Sequence, residues 1–126
     1  MGRFWLGIGL LLFFLGLGLW VARSTIQTCD TIAQTLTQAA ETSLSGNLEE
    51  GKALALTAHR TWDAKWHGVA SVADHSPMDE IDGLFGQLFV YGQGELPVEF
   101  AACCARLSRL ICAVGEAHSL TWWNLL

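Results

Sequence analysis

The chain has 126 residues, 52% hydrophobic and 15% charged, with a formal net charge of -5. That length suits one small domain and excludes a two-domain enzyme with a separate cofactor fold. A charged fraction below the ~25% of an average soluble domain signals a local apolar excess, and the acidic balance argues against nucleic acid as a partner.

The excess lies at the N-terminus. Residues 4–22 read FWLGIGLLLFFLGLGLWVA, 19 residues without a charge. As a helix rising ~1.5 Å per residue, this stretch matches the ~30 Å hydrocarbon core of a bilayer. Trp5 and Trp20 sit near its two ends, and Arg3 and Arg23 close it on either side, the placement expected of interfacial anchors. The apolar region of a cleaved signal peptide is shorter, ~7–15 residues. Neither Ala22-Arg23-Ser24 nor Ile26-Gln27-Thr28-Cys29 makes a good cleavage site, so the segment reads as an uncleaved signal-anchor. Residues 24–126 carry five Lys/Arg against twelve Asp/Glu, a net charge of -7. So acidic a segment has little attraction to an anionic cytoplasmic leaflet. The expected topology is single-pass in the plasma membrane, N-terminus cytoplasmic and C-terminal domain extracytoplasmic. Gly2, Gly9 and Gly16 share one face of the anchor, but the abundance of Gly in membrane helices explains them without a packing seam.

The rest reads as helices in chain order. Between residues 24 and 45, Ile26, Cys29, Ala33, Leu36, Ala40 and Leu44 recur every three or four positions, a narrow stripe on a helix leaving the membrane. Ser45-Gly46 stops it. Asn47 followed by Glu50 has the spacing of a capping box. The helix it opens is expected to reach about Val72, burying Leu48, Ala55, Ala58, Trp62, Trp66 and Val69. A third helix opens with Ser76 as cap, Pro77 at its first position, and Asp79 and Glu80 at the positive end of its dipole. Ile81, Leu84, Phe85, Leu88 and Phe89 then follow with amphipathic spacing, until Tyr91-Gly92-Gln93-Gly94 breaks it. The last helix is expected from Pro97 to about Ala117, burying Phe100, Cys103, Leu107, Leu110, Ile111 and Val114, with Arg106 and Arg109 opposite. The fold class is all-α: an N-terminal transmembrane helix followed by a small antiparallel helical bundle. Its parts are a signal-anchor (1–23), a juxtamembrane helix (24–46) and a bundle (47–126).

Few residues suggest chemistry. Cys29, Cys103, Cys104 and Cys112 form no CxxC, which removes thioredoxin and zinc-knuckle readings. Cys103 and Cys104 point apart on one helix, and Cys104 and Cys112 are too distant along it to bond. A bridge from Cys29 to the last helix requires those helices to pack together. His59, Asp63 and His67 recur every fourth residue, a spacing that can hold a metal, but they lie beside the apolar face, where solvated polar residues belong. The segment 74–82 concentrates acids and His75 without the ligand order of an EF-hand, and helix capping accounts for most of them. Trp122-Trp123-Asn124-Leu125-Leu126 is an apolar ending that either folds back onto the bundle or docks on a partner or the bilayer surface; folding back is the expected outcome, since a small core needs area to bury. No nucleophile motif, P-loop or glycine fingerprint occurs. No catalytic, cofactor-binding or metal residue is therefore assigned.

The layout resembles a bacterial family of short membrane-anchored helical proteins known as domain of unknown function 4363. The resemblance rests on Trp62 and Trp66, on Asp74-His75 leading into Asp79-Glu80-Ile81-Asp82, on Leu84 and Leu88, and on the ending Trp122-Trp123-Asn124. It covers most of residues 48–126, and the chain departs from it in being poor in Lys and rich in Gly, Thr and Cys. It implies a cell-envelope protein of clostridia-like bacteria acting beside another membrane protein, and no activity. The motif residues Trp62, Trp66, His75, Asp79, Glu80, Asp82, Trp122, Trp123 and Asn124 are thus the candidate interaction set. The expected function is a non-enzymatic accessory protein whose bundle binds or stabilises a membrane-protein partner or a second copy of itself. The alternative is an envelope ligand or cation sensor using His59, Asp63, His67 and residues 74–82.

Overall fold

The computed structural model describes residues 2–66 and 76–125, with side chains at 2–66 and 78–117. Among these, every regular element is an α-helix: α1 (Gly2–Leu44), α2 (Leu48–Trp66), α3 (Ser76–Gln93) and α4 (Pro97–Leu125).

The anchor segment and the juxtamembrane stretch are one helix. α1 runs 43 residues without interruption, about 64 Å at ~1.5 Å per residue. Its N-terminal half projects from the remainder, and none of its most apolar window, mean hydropathy 2.2, is buried by the rest of the chain. One helix is therefore long and apolar enough to span a membrane.

The C-terminal half of α1 is part of the core. Ala22, Thr25, Cys29, Ile32, Leu36, Ala39 and Ser43 are all buried and alternate by three and four. This is a seven-residue repeat, which keeps one seam turned toward its neighbours. The seam is rotated from the expected stripe. Cys29, Ala33 and Leu36 are buried as anticipated, but Ile26 and Leu44 are 36% and 60% exposed. The reason is that hydroxyl residues occupy seam positions. Thr25 donates to the Val21 carbonyl (3.0 Å) and Ser43 to the Ala39 carbonyl (2.7 Å), so each satisfies its polar group within its own helix and can be buried.

Small seam residues let neighbouring helices come close. At Gly51 on α2, a Cβ would collide with the Ser43 hydroxyl and lie 2.9 Å from the Ala39 carbonyl. At Gly115 on α4, it would lie 2.9 Å from Cβ and Sγ of Cys29. Residue 115 lies on 29 and residue 108 on 33, which makes α4 antiparallel to α1, while residue 51 lies on 43 and 39 just across the turn at 45–47, returning α2 along α1. The Ser108 hydroxyl donates to the Ala33 carbonyl at 3.2 Å and fixes the α1–α4 register.

Two turns join the helices in the same manner. After α1, the Asn47 amide bonds the Thr42 carbonyl (3.1 Å) and the Gly46 amide bonds that of Ser43 (3.3 Å). This is a Schellman turn with Gly46 at φ 100°. Asn47 then caps α2: its Oδ1 accepts from the Glu50 amide (3.2 Å) while its Nδ2 donates to the Glu50 carboxylate (2.9 Å). After α3, Leu96 bonds Tyr91 (3.1 Å) and Glu95 bonds Gly92 (3.2 Å), with Glu95 itself at φ 55°.

The core draws on all four described helices, with Trp62, Phe85, Phe100, Leu36, Leu88 and Leu107 among its largest fully covered side chains. On α2 the expected Ala55, Ala58, Trp62 and Trp66 are buried and Leu48 partly so; Val69 and the anticipated end near Val72 lie outside the described residues. On α4, Phe100, Cys103, Leu107 and Ile111 are buried and Leu110 and Val114 partly so. Cys104 is fully buried as well. α4 does not stop near Ala117. It continues to Leu125, so the chain ending extends the helix, where a tail folding back was expected. No Pro or Gly follows Gly115 to break it.

Candidate functional site

The candidate residues separate into ties between helices and residues outside the described side chains. Trp62 is 2% exposed, and its indole N–H donates to the Asp82 carboxylate at 3.2 Å. The bond joins α2 to α3. Trp66, one turn further, stacks obliquely on Trp62 with ring centroids 5.4 Å apart. On the next face of α3, Glu80 meets Arg106 of α4 at 3.5 Å, both exposed. Asp79 lies in the first turn of α3, where its charge complements the helix dipole. The acids between 79 and 82 thus tie α3 to its neighbours or complement its end.

His75, with His67 and Asp74, lies outside the described residues. Trp122, Trp123 and Asn124 lie in the last turns of α4, beyond the described side chains. Ser76 opens α3 in the backbone trace; its side chain and that of Pro77 are likewise outside.

His59 faces inward as well as along its helix. Its ring stands edge-on against Phe85 (4.9 Å) and Phe89 (5.3 Å), while Nε2 faces the Asp63 carboxylate at 3.6 Å. The aromatic contacts come from α3, so the His59–Asp63 edge borders the α2–α3 seam. Among the described residues, no three His, Cys, Asp or Glu side chains gather in a way that could hold a metal ion.

The four cysteines are free. Burial pushes the Cys104 thiol up to about 12, with the neighbouring Cys103 adding to the effect. Burial also raises Cys103 and, less completely covered, Cys112. Cys103 donates to the Leu84 carbonyl at 3.4 Å. A thiol held protonated is a poor nucleophile. Cys112 is half-buried, because α4 lies directly along α1 at that level.

A groove of about 350 Å³ runs between α1 and α4, with Asp30, Gln34, Gln38 and Cys112 among its walls. Its polar walls are neither deep nor convergent in charge. The contacts that sequence reasoning missed are the close approaches at Gly51 and Gly115 and the Ser108 bridge. Only the pairing of two helices reveals them.

Comparison with protein-family models, curated proteins and solved structures finds no match.

Proposed function

We propose that the chain is a non-enzymatic, single-pass membrane accessory protein. Residues 4–22 cross the plasma membrane with the N-terminus inside, and the antiparallel helical bundle stands outside, where it binds or stabilises a membrane partner or a second copy. The observation that carries this reading is the apolar half of α1: a window of mean hydropathy 2.2 with none of its surface buried by the chain, continuous with a well-packed core. An uncovered apolar surface of that length needs an apolar solvent. The protonated, packed thiols and the structural use of the acids on α3 fit a role without reaction chemistry. The resemblance at Trp62, Trp66 and residues 79–82 to the domain of unknown function 4363 family favours the same envelope setting.

The test begins with alkaline extraction of membranes, which leaves a true span in the lipid fraction. Topology follows from a cysteine placed at exposed Arg109 (Arg109→Cys), labelled with a membrane-impermeant maleimide. Labelling of intact cells supports the orientation; labelling only after lysis reverses it. Gentle detergent purification then reads association, and a strictly monomeric protein with no co-purifying partner counts against an accessory role. The sensor alternative is separated by melts with calcium, zinc and chelator, since a ligand of the folded state raises its melting temperature.

A further inference from the structure

α4 continues past its last buried residue among the described side chains. Its last buried contact with α1 among the described side chains is at Gly115, whose backbone lies against Cys29. Because the two helices are antiparallel, further steps along α4 descend α1 toward its apolar half. Seven residues beyond Gly115 is Trp122; seven residues before Cys29 is Ala22. Each step is about 10.5 Å along nearly parallel axes. The helical end at 118–125 therefore lies level with the turns around Trp20, Ala22 and Arg23. That is where the apolar segment of α1 ends.

The composition of this end changes at the same height. Glu116 is the last acid of the chain, and from Ala117 onward there is no Lys, Arg, Asp or Glu. The segment instead carries Leu120, Trp122, Trp123, Asn124 and Leu125. On α1, Trp20 is 68% exposed at that level and Arg23 is exposed beside it. Tryptophan, with an apolar ring and one N–H donor, partitions to the boundary between headgroups and acyl chains. A helix end without Lys, Arg, Asp or Glu, opened by His118 and rich in Trp and Leu, at the height where a neighbouring helix enters the bilayer, has the chemistry of that layer.

We propose that the C-terminal end of α4, residues 118–125, sits in the phospholipid headgroup layer as a second point of membrane contact beside the α1 span. The inference rests on the anchored reading above and deepens it. The bilayer contact would be two-legged, one leg crossing and one resting at the boundary, which fixes the rotation of the bundle about α1.

The test uses the full chain in phosphatidylcholine vesicles, with and without bromine on the acyl chains near the headgroup. In a Trp5→Phe, Trp20→Phe variant, the remaining indoles are the covered Trp62 and Trp66 and the terminal Trp122 and Trp123. Loss of part of the emission in brominated vesicles is expected, with weaker loss when the bromines sit at the chain ends. The loss should vanish when Trp122→Phe and Trp123→Phe are added. Unchanged emission of the first variant in brominated vesicles overturns the proposal. A Trp122→Phe, Trp123→Phe variant reports the span through Trp5 and Trp20. Quenching there without quenching of the terminal pair sinks this inference alone, whereas quenching in neither overturns the anchored reading and this one together.

Discussion

The indole N–H of Trp62 points at the Asp82 carboxylate, 3.2 Å away, and forms a polar bond between α2 and α3. Its donor is on a side chain 2% exposed, while its acceptor residue lies toward solvent. The ring supplies covered area, and the N–H fixes which turn of α3 it meets. Trp62→Phe and Asp82→Ala should each weaken the fold, with a coupling of about 1 kcal/mol in a double-mutant cycle. Urea unfolding of the four proteins in detergent measures it. Purely additive losses would mean that the bond contributes nothing to stability.

Gly115→Ala puts a methyl group 2.9 Å from Cβ and Sγ of Cys29. Backbone and thiol must both move, so the cost should be about 1–3 kcal/mol, as for other overpacked cores. Cys29→Ala in the same chain removes the sulfur and should return part of that loss. A double variant less stable than the sum of its parts would contradict the close approach.

Glu95 holds φ 55° at the turn after α3, the position that glycine usually fills in this motif. Glu95→Gly should therefore raise stability by about 0.5–1 kcal/mol, the left-handed strain being partly offset by glycine's unfolded-state entropy. Gly46→Ala, at φ 100° in the equivalent turn, should have the opposite sign. Thermal melts of the two variants side by side decide the matter.

The folded chain keeps the Cys104 proton up to about pH 12, whereas an exposed thiol releases it near its ordinary value of 9.0. Above pH 9 the unfolded chain thus binds fewer protons than the folded one. Stability should be independent of this group below pH 9 and fall as pH rises toward 12. The urea midpoint should decline more shallowly in Cys104→Ala than in the parent protein over that window. Equal slopes would show that Cys104 binds its proton no more tightly in the folded chain than in the unfolded one.

Much of the helical layout is legible in residue spacing. The face of α3 from Ile81 to Phe89 alternates so regularly that the buried set is nearly forced. The Asn47 cap is a matter of two polar groups three residues apart. The α1 seam is harder, because Thr25 and Ser43 carry hydroxyls that a hydropathy pattern assigns to water. Their covered state depends on bonds to Val21 and Ala39 within the same helix. The end of α4 is hard for another reason: no Pro or Gly after Gly115 marks where it stops. Of the candidate set, Trp62 and Asp82 carry their pairing only in three dimensions, since they are on different helices. The function stands further from the sequence still, because packing residues name no reaction.

α1 has neither proline nor glycine from Leu19 to Ser45, so no built-in joint separates the exposed apolar half from the half inside the core. Membrane helices lean by ~20° on average and lean further in thinner bilayers. With residues 4–22 in a bilayer, as proposed, the ~31 Å of α1 above Arg23 would turn a 20° lean into a sideways sweep of about 11 Å at its far end. On the anchored reading proposed above, the stiff shaft would make the domain a pointer, with the thickness of the bilayer as the quantity on its dial.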